Sequence, residues 1–185
     1  IMSSIKFYGG KKLHGHVDIH GSKNAALPIL ASSVLFEEQE IYLSNIPQLT
    51  DVKTMLKVLN AIGIKSTFDA DEVILTTPLN NDLLYETPDA LVSQMRATLL
   101  IMGPMLAKKR KVEISLPGGC SIGYRPVDFH ITALEAMGAK IVLEHGILIA
   151  EASHGLHATN IHFDTPSVGA TENIIMAAVL TEGVT

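Results

Sequence analysis

The stretch TDVKTMLKVLNAIGIKSTFDADEVILT, residues 50–76, decides the fold of this 185-residue chain. Thr50-Asp51 is a helix start signal. Val52, Met55, Leu56, Val58, Leu59 and Ile62 then fall on one helical face, and Gly63 stops the helix. Ile64 to Phe68 and Val73 to Thr76 read as a hairpin across Asp69-Ala70-Asp71. Upstream, Glu40 to Leu43 reads as a strand. Asn24 to Phe36 reads as a buried helix in which Pro28 must occupy the first turn or cause a kink. Val17-Asp18-Ile19 opens the series as a short strand.

The same order then returns. Leu83 to Glu86 reads as a strand and Asp89 to Ala107 as an apolar helix. Lys111 to Leu116 is a strand, Pro126 to Met137 an amphipathic helix stopped by Gly138, and Ala139 to Leu143 with Ile147 to Ala150 a second hairpin. The helix ends Ala61-Ile62-Gly63 and Ala136-Met137-Gly138 lie 75 residues apart. A third copy begins with a strand at Ile161-His162-Phe163 and a helix from Val168 to Leu180. The fold class expected is α/β, with two complete βαβαββ units plus part of a third. In each unit one helix is almost wholly apolar and the other amphipathic. The apolar helices should therefore cluster at a shared centre, with the amphipathic ones outside.

Composition narrows the function classes. Apolar residues make up 47% and charged residues 18%, with mean hydropathy +0.29, which excludes intrinsic disorder. Nineteen acidic against 14 basic residues give a net charge of −5, which argues against a nucleic-acid partner. The apolar run Ala97 to Ala107 is too short for a bilayer and contains Gly103 and Pro104, so no membrane partner is expected. One cysteine forms no internal disulfide and no secretory signal is evident, so a cytoplasmic location is expected. Ile1, ahead of Met2, is set aside.

Three places carry candidate chemistry. Cys120 sits in Leu116-Pro117-Gly118-Gly119-Cys120-Ser121-Ile122-Gly123-Tyr124-Arg125-Pro126, whose glycines let the backbone approach a ligand closely. A lone cysteine also reads as a small buried hydrophobe. With Arg125 nearby to lower its pKa, it reads equally as an acid or a nucleophile. In His20-Gly21-Ser22-Lys23-Asn24, Ser22 is placed to cap a helix, and Lys23 lies where the helix dipole favours anions. That position suits a lysine only if an anion is present, or if its side chain simply faces solvent. Neither Gly21-Ser22-Lys23 nor Gly9-Gly10-Lys11 has the spacing of a phosphate-binding Walker loop. Arg96 begins an apolar helix and needs either a structural carboxylate or a bound anion. Lys23, Arg96 and Arg125 together could hold a phosphate and a carboxylate. Asp51 and Asp128 read as helix-start carboxylates, with Asp128 also a ligand candidate. His14, His16, His20, His154 and His157 lack the spacing and partners of a metal site, so none is expected.

Three motifs carry a resemblance. Gly21 to Pro28, the Pro117–Asp128 loop, and Pro166-Ser167-Val168-Gly169-Ala170-Thr171-Glu172-Asn173 resemble the UDP-N-acetylglucosamine enolpyruvyl transferases (1-carboxyvinyltransferases), over about Lys6 to Thr185. The resemblance implies an inside-out α/β barrel. It implies transfer of the enolpyruvyl group of phosphoenolpyruvate to the 3-hydroxyl of UDP-N-acetylglucosamine, the committed step of peptidoglycan synthesis, with no organic cofactor. Cys120 would be the proton donor and the residue alkylated by fosfomycin. Lys23, Asn24, Arg96 and Arg125 would bind phosphoenolpyruvate. Asn24, Arg96, Arg125, Pro126, Val127, Asp128, Phe129, Thr165, Ser167, Val168 and Gly169 would bind the nucleotide sugar. Thr165 stands where some members carry lysine. Residues 2–20 would join a second domain absent from this sequence, and 21–185 would form a first domain incomplete at its end. The second domain would supply an Asp base and a further phosphate-binding Arg, so these residues alone would be inactive. Two alternatives remain open: the related shikimate-pathway transferase, and a non-catalytic half that binds a nucleotide sugar.

Overall fold

The computed structural model describes residues 4–87, 96–115 and 127–185, with the backbone alone for residues 96 and 97. Its elements are α1 (Lys23–Ser32), β1 (Glu40–Leu43), α2 (Thr50–Ala61), β2 (Lys65–Asp69), β3 (Glu72–Thr76), α3 (Met102–Lys109), β4 (Lys111–Ser115), α4 (Asp128–Ala136), β5 (Lys140–Glu144), β6 (Ile147–Glu151) and α5 (Val168–Ala178). Short 3₁₀ segments cover Ser33–Leu35, Asn80–Asp82 and Arg96–Ile101.

The repeat reappears as two three-stranded sheets, ordered β1-β3-β2 and β4-β6-β5, with every neighbouring pair antiparallel. The two hairpins keep the 75-residue interval, since β2 and β5 start at 65 and 140, and β3 and β6 at 72 and 147. The helices before them end alike. At α2, Ile64 N–H donates to Leu59 C=O (2.9 Å) and Gly63 N–H to Asn60 C=O (3.1 Å). At α4 the same pair of bonds runs from Ala139 to Leu134 (3.0 Å) and from Gly138 to Glu135 (2.9 Å). These are Schellman closures, which need a left-handed residue just past the helix. Gly63 and Gly138 supply it at φ +108° and +97°.

The apolar helices meet at the centre as expected. Leu27 and Leu30 of α1, Leu99 to Met102 with Met105 and Leu106 around α3, and Ile174 and Met176 of α5 belong to one buried cluster. The helices α3 and α5 pack together, and α1 packs on the 96–101 segment and on α5. The inner faces of the sheets add Val73, Leu75, Val112, Ile114, Leu148 and Ala150. The amphipathic helices occupy the next layer, α2 against α1 and β2, α4 against α5 and β5.

Several expected elements differ. Residues 17–19 form no strand; all of 4–22 lies outside helix and sheet, and Val17 and Ile19 are exposed. In 83–86 only Glu86 pairs, as a single parallel bridge to Glu113, held by Thr87 N–H to Glu113 C=O (3.1 Å) and Glu113 N–H to Tyr85 C=O (2.8 Å). Each unit therefore shows αβαββ, its first strand reduced to a bridge or missing. Residues 161–163 likewise form no strand, and α5 ends at Ala178 rather than Leu180. With no neighbouring strand among the described residues, these short apolar runs have no ladder to join. Of the apolar helix expected over Asp89 to Ala107, the described part is 3₁₀ over Arg96–Ile101 and α over Met102–Lys109, and residues 88–95 lie outside it. The amphipathic helix starts at Asp128 rather than Pro126. Pro28 sits in the second turn of α1, where it removes the N–H that Asn24 C=O would accept.

Gly63→Ala should destabilise the protein by about 1–2 kcal/mol, the usual cost of forcing a Cβ into the left-handed region. The added Cβ would also lie 3.1 Å from Asp82 C=O. Urea unfolding of the variant beside the parent measures the loss.

Candidate functional site

The start of α1 is built by the turn before α2. Ser22 holds extended backbone (φ −85°, ψ 130°), and its C=O accepts from Ala25 N–H (3.2 Å) and Ala26 N–H (2.9 Å). Its hydroxyl makes no capping bond, contrary to the expectation for Ser22. Position is set instead by Gly21, whose N–H donates to Asn45 Oδ1 (2.8 Å). A Cβ on Gly21 would run into the Asn45 backbone carbonyl.

The anion that Lys23 needs at a helix N-terminus comes from the protein. Lys23 Nζ lies 2.7 Å from Asp51 Oδ2, in the first turn of α2, where the dipole of that helix favours a carboxylate. Both side chains are about 40% exposed (41% and 39%), so the pair contributes at most about 1 kcal/mol to stability. Its consequence is positional: an ammonium is held at the surface beside exposed Asn24. Asp51 as the partner of Lys23 was not legible in the sequence, which marks it only as a helix start.

Arg96 heads the 3₁₀ segment that packs on α1 and α5. Cys120, Arg125 and Pro126 lie outside the described residues.

The remaining expected residues form a second cluster, on α4 and α5. Val127, Asp128 and Phe129 lie at the start of α4; Thr165, Ser167, Val168 and Gly169 lead into α5. Ser167 Oγ caps α5, accepting from Ala170 N–H at 3.4 Å. The Phe129 and Phe163 rings meet with centroids 5.5 Å apart. One residue on, His130 packs against Gly169, where an added Cβ would lie 3.7 Å from both Cε1 and Nε2. Thus 127–130 and 163–169 are brought side by side, with Asp128, Thr165 and Val168 exposed. A cavity of about 150 Å³ lined by Tyr42, Leu43, Ser44, Glu72, Val73 and Ile74 contains none of the expected site residues.

Beneath this cluster lies a polar group the sequence reading gave no role. Asn173, fully buried, accepts from Gly103 N–H (2.6 Å) and donates to Leu99 C=O (3.0 Å) and His130 Nδ1 (2.9 Å). Burial holds the His130 pKa down, at about 4 against an ordinary 6.5. In the sequence Asn173 stands only as the last residue of the Pro166–Asn173 motif, with nothing to mark it as buried.

No helix among the described residues is long and apolar enough to cross a membrane. No cluster of metal-ligating side chains occurs among them either.

The structure superimposes on the enolpyruvyl transferase NikO of Streptomyces tendae with a TM-score of 0.73 at 15% identity, over 95% of this chain and 40% of that one. It matches EPSP synthase of Acinetobacter baumannii with a TM-score of 0.68 at 17% identity, over 91% of this chain and 39% of that one. The fold is therefore that of the enolpyruvyl transferases. The profile of the EPSP synthase (3-phosphoshikimate 1-carboxyvinyltransferase) family matches residues 7–185, and the chain belongs to that family. Among curated relatives, a UDP-N-acetylglucosamine 1-carboxyvinyltransferase 2 of Carboxydothermus hydrogenoformans is 50% identical over 184 residues. A UDP-N-acetylglucosamine 1-carboxyvinyltransferase 1 of Staphylococcus aureus is 47% identical over 184 residues. The chain spans 43% and 44% of their lengths.

Because the native His130 pKa is depressed, the unfolded state binds the extra proton between pH 6.5 and 4. Stability from this group is complete above about pH 6.5 and is lost as pH falls towards 4, on the order of 3 kcal/mol in all. Urea unfolding across that range should show the fall, and His130→Asn should flatten it.

Proposed function

We propose that this chain supplies one part of an enzyme that transfers the enolpyruvyl group of phosphoenolpyruvate to the 3-hydroxyl of UDP-N-acetylglucosamine, releasing phosphate. The observation that carries this reading is 45–50% identity over 184 residues to relatives named for that nucleotide sugar. The reaction would open peptidoglycan synthesis in the cytoplasm, and so serve cell-wall growth, cell shape and division, without an organic cofactor.

The chemistry asks for an acid above the methylene carbon of phosphoenolpyruvate and cations around its anionic groups. Protonation of that carbon leaves cationic character on its neighbour, which the sugar hydroxyl attacks as it loses its proton to a base; the tetrahedral adduct then expels phosphate while its methyl carbon gives up a proton, which restores the double bond. Cys120 is the proposed acid, and thus the thiol fosfomycin would alkylate. Lys23, Asn24, Arg96 and Arg125 are the proposed phosphoenolpyruvate ligands. The half-exposed Lys23 ammonium, already oriented by Asp51, supports its part in this. Val127, Asp128, Phe129, Thr165, Ser167, Val168 and Gly169, with Asn24, Arg96, Arg125 and Pro126, are the proposed nucleotide-sugar ligands. Support for the seven in 127–129 and 165–169 is the side-by-side placement of 127–130 and 163–169.

Residues 21–185 are proposed as a first domain and 2–20 as a segment that joins a second. Ile5, Phe7, Leu13, Val17 and Ile19 alternate with more polar positions and are 76–91% exposed, which fits a strand that pairs elsewhere. The base and a further phosphate-binding Arg belong to that second domain in this reading. The 185-residue chain by itself should bind nucleotide sugar without turnover.

In the full-length protein, phosphate release should require both substrates. Cys120→Ser should lose most activity, while Cys120→Asp should keep part, since a carboxylic acid can also donate the proton. Wild-type rates in Cys120→Ser would remove Cys120 from the mechanism, and turnover by the isolated 185 residues would refute the two-domain site. The name of the matched family keeps one other substrate in view. Phosphate release stimulated by shikimate 3-phosphate, and not by the nucleotide sugar, would select it.

A further inference from the structure

Asn173 spends its side-chain amide on three different elements at once. Its Oδ1 takes the Gly103 N–H of α3, one Nδ2 hydrogen goes to Leu99 C=O, and the other to His130 Nδ1 on α4. The orientation of the amide is fixed by this set. Turned over, it would press Oδ1 against a carbonyl oxygen and an NH₂ against an N–H. Because Nδ2 only donates, His130 Nδ1 must offer its lone pair, and the ring proton resides on Nε2.

The rest of the ring reaches the same helix again. Gly169 lies against Cε1 and Nε2, four residues and about one turn before Asn173 on α5. One imidazole from α4 therefore bonds to α5 at Asn173 and faces it again one turn earlier, at Gly169. Those contacts adjoin Val127–Phe129 on one side and Thr165–Gly169 on the other. The base of the node is rigid, since Gly103 sits so close to Asn173 that no Cβ fits between them.

We propose that Asn173 is a positioning residue: through His130 it fixes the 127–130 turn against the 165–169 turn, and so sets the spacing of the two walls that grip the nucleotide sugar. This rests on the nucleotide-sugar reading above. Asn173 itself touches no substrate. It acts by holding the His130 ring, and with it the start of α4, at a set distance from the start of α5. A node that served stability alone would leave substrate affinity unmoved in any variant that still folds.

The test uses the full-length protein and three variants. His130→Phe keeps a ring but offers no acceptor; His130→Asn places an amide oxygen near the position of Nδ1. Asn173→Asp keeps the bond from Gly103 and loses both donors. His130→Phe and Asn173→Asp should raise KM for UDP-N-acetylglucosamine at least tenfold, with kcat and KM for phosphoenolpyruvate changed less than threefold. His130→Asn should return KM to within threefold of the parent. Nitrogen NMR of the parent should show His130 unprotonated at Nδ1 near neutral pH. An unchanged nucleotide-sugar KM in folded His130→Phe or Asn173→Asp overturns the proposal. So does His130→Asn as defective as His130→Phe, or a protonated Nδ1. If the parent ignores the nucleotide sugar altogether, the functional reading fails on that ground, while the NMR signature judges the Asn173–His130 bond separately.

Discussion

The arrangement depends on one close approach, that of α3 and α5 at Gly103. A hydrogen in place of a side chain lets the α5 backbone come against α3, which puts the buried Asn173 amide within bonding range of Gly103 N–H and Leu99 C=O. A buried amide without partners would cost on the order of 1–3 kcal/mol per unsatisfied group, so the contact has to be complete to be tolerated. Being complete, it selects one rotation of α5 about its axis and one position for His130. The start of α4 follows from that, and the turns that carry Phe129 and Phe163 follow in their turn. A wholly apolar interface at the same place would allow the helices to slide by a fraction of a turn at little cost.

The repeat was plainly legible in the sequence, because its markers are local. Apolar spacing of 3.6 over Val52 to Ile62, a stop at Gly63 and a hairpin beyond it depend on neighbours within a few residues, and the same markers return at Gly138. The first strand of each unit was not recoverable in the same way. Val17-Asp18-Ile19 and Ile161-His162-Phe163 have strand-like composition, but a strand exists only where another offers a ladder. Leu83 to Glu86 shows the intermediate case, with a single bridge at Glu86. The change from 3₁₀ to α at Met102 was equally hidden. The 3₁₀ turns before it are set by packing against α1 and α5, which no local pattern encodes.

The candidate site divides along the same line. Lys23, Asn24 and the 165–169 segment stand out because glycine, serine and a charge sit at the edge of an apolar helix. What Lys23 does there depends on Asp51, 28 residues away, and on the Gly21–Asn45 contact that aims the helix start. Those are tertiary facts. Asn173 was visible as the end of the Pro166–Asn173 motif, yet its three partners lie 43 to 74 residues distant, and none carries a sequence mark that pairs it with Asn173. Resemblance to a family supplied the roles of individual residues; the residues alone supplied the cations, the thiol and the loop.

Two near-identical hairpins in one chain set a problem of self-recognition during folding. The β2–β3 and β5–β6 pairs match in length and register, so either hairpin could offer its central strand to the wrong edge, β1 or β4, while the chain is still open. Side-chain volume tells them apart. At equivalent buried positions β3 presents Val73 and Leu75, and β6 presents Leu148 and Ala150. Exchanged, Leu75 would crowd a space shaped for alanine, and Ala150 would leave a void where leucine belongs. Divergence between the two copies thus acts as an address, keeping each hairpin with its own edge strand although their backbones are interchangeable.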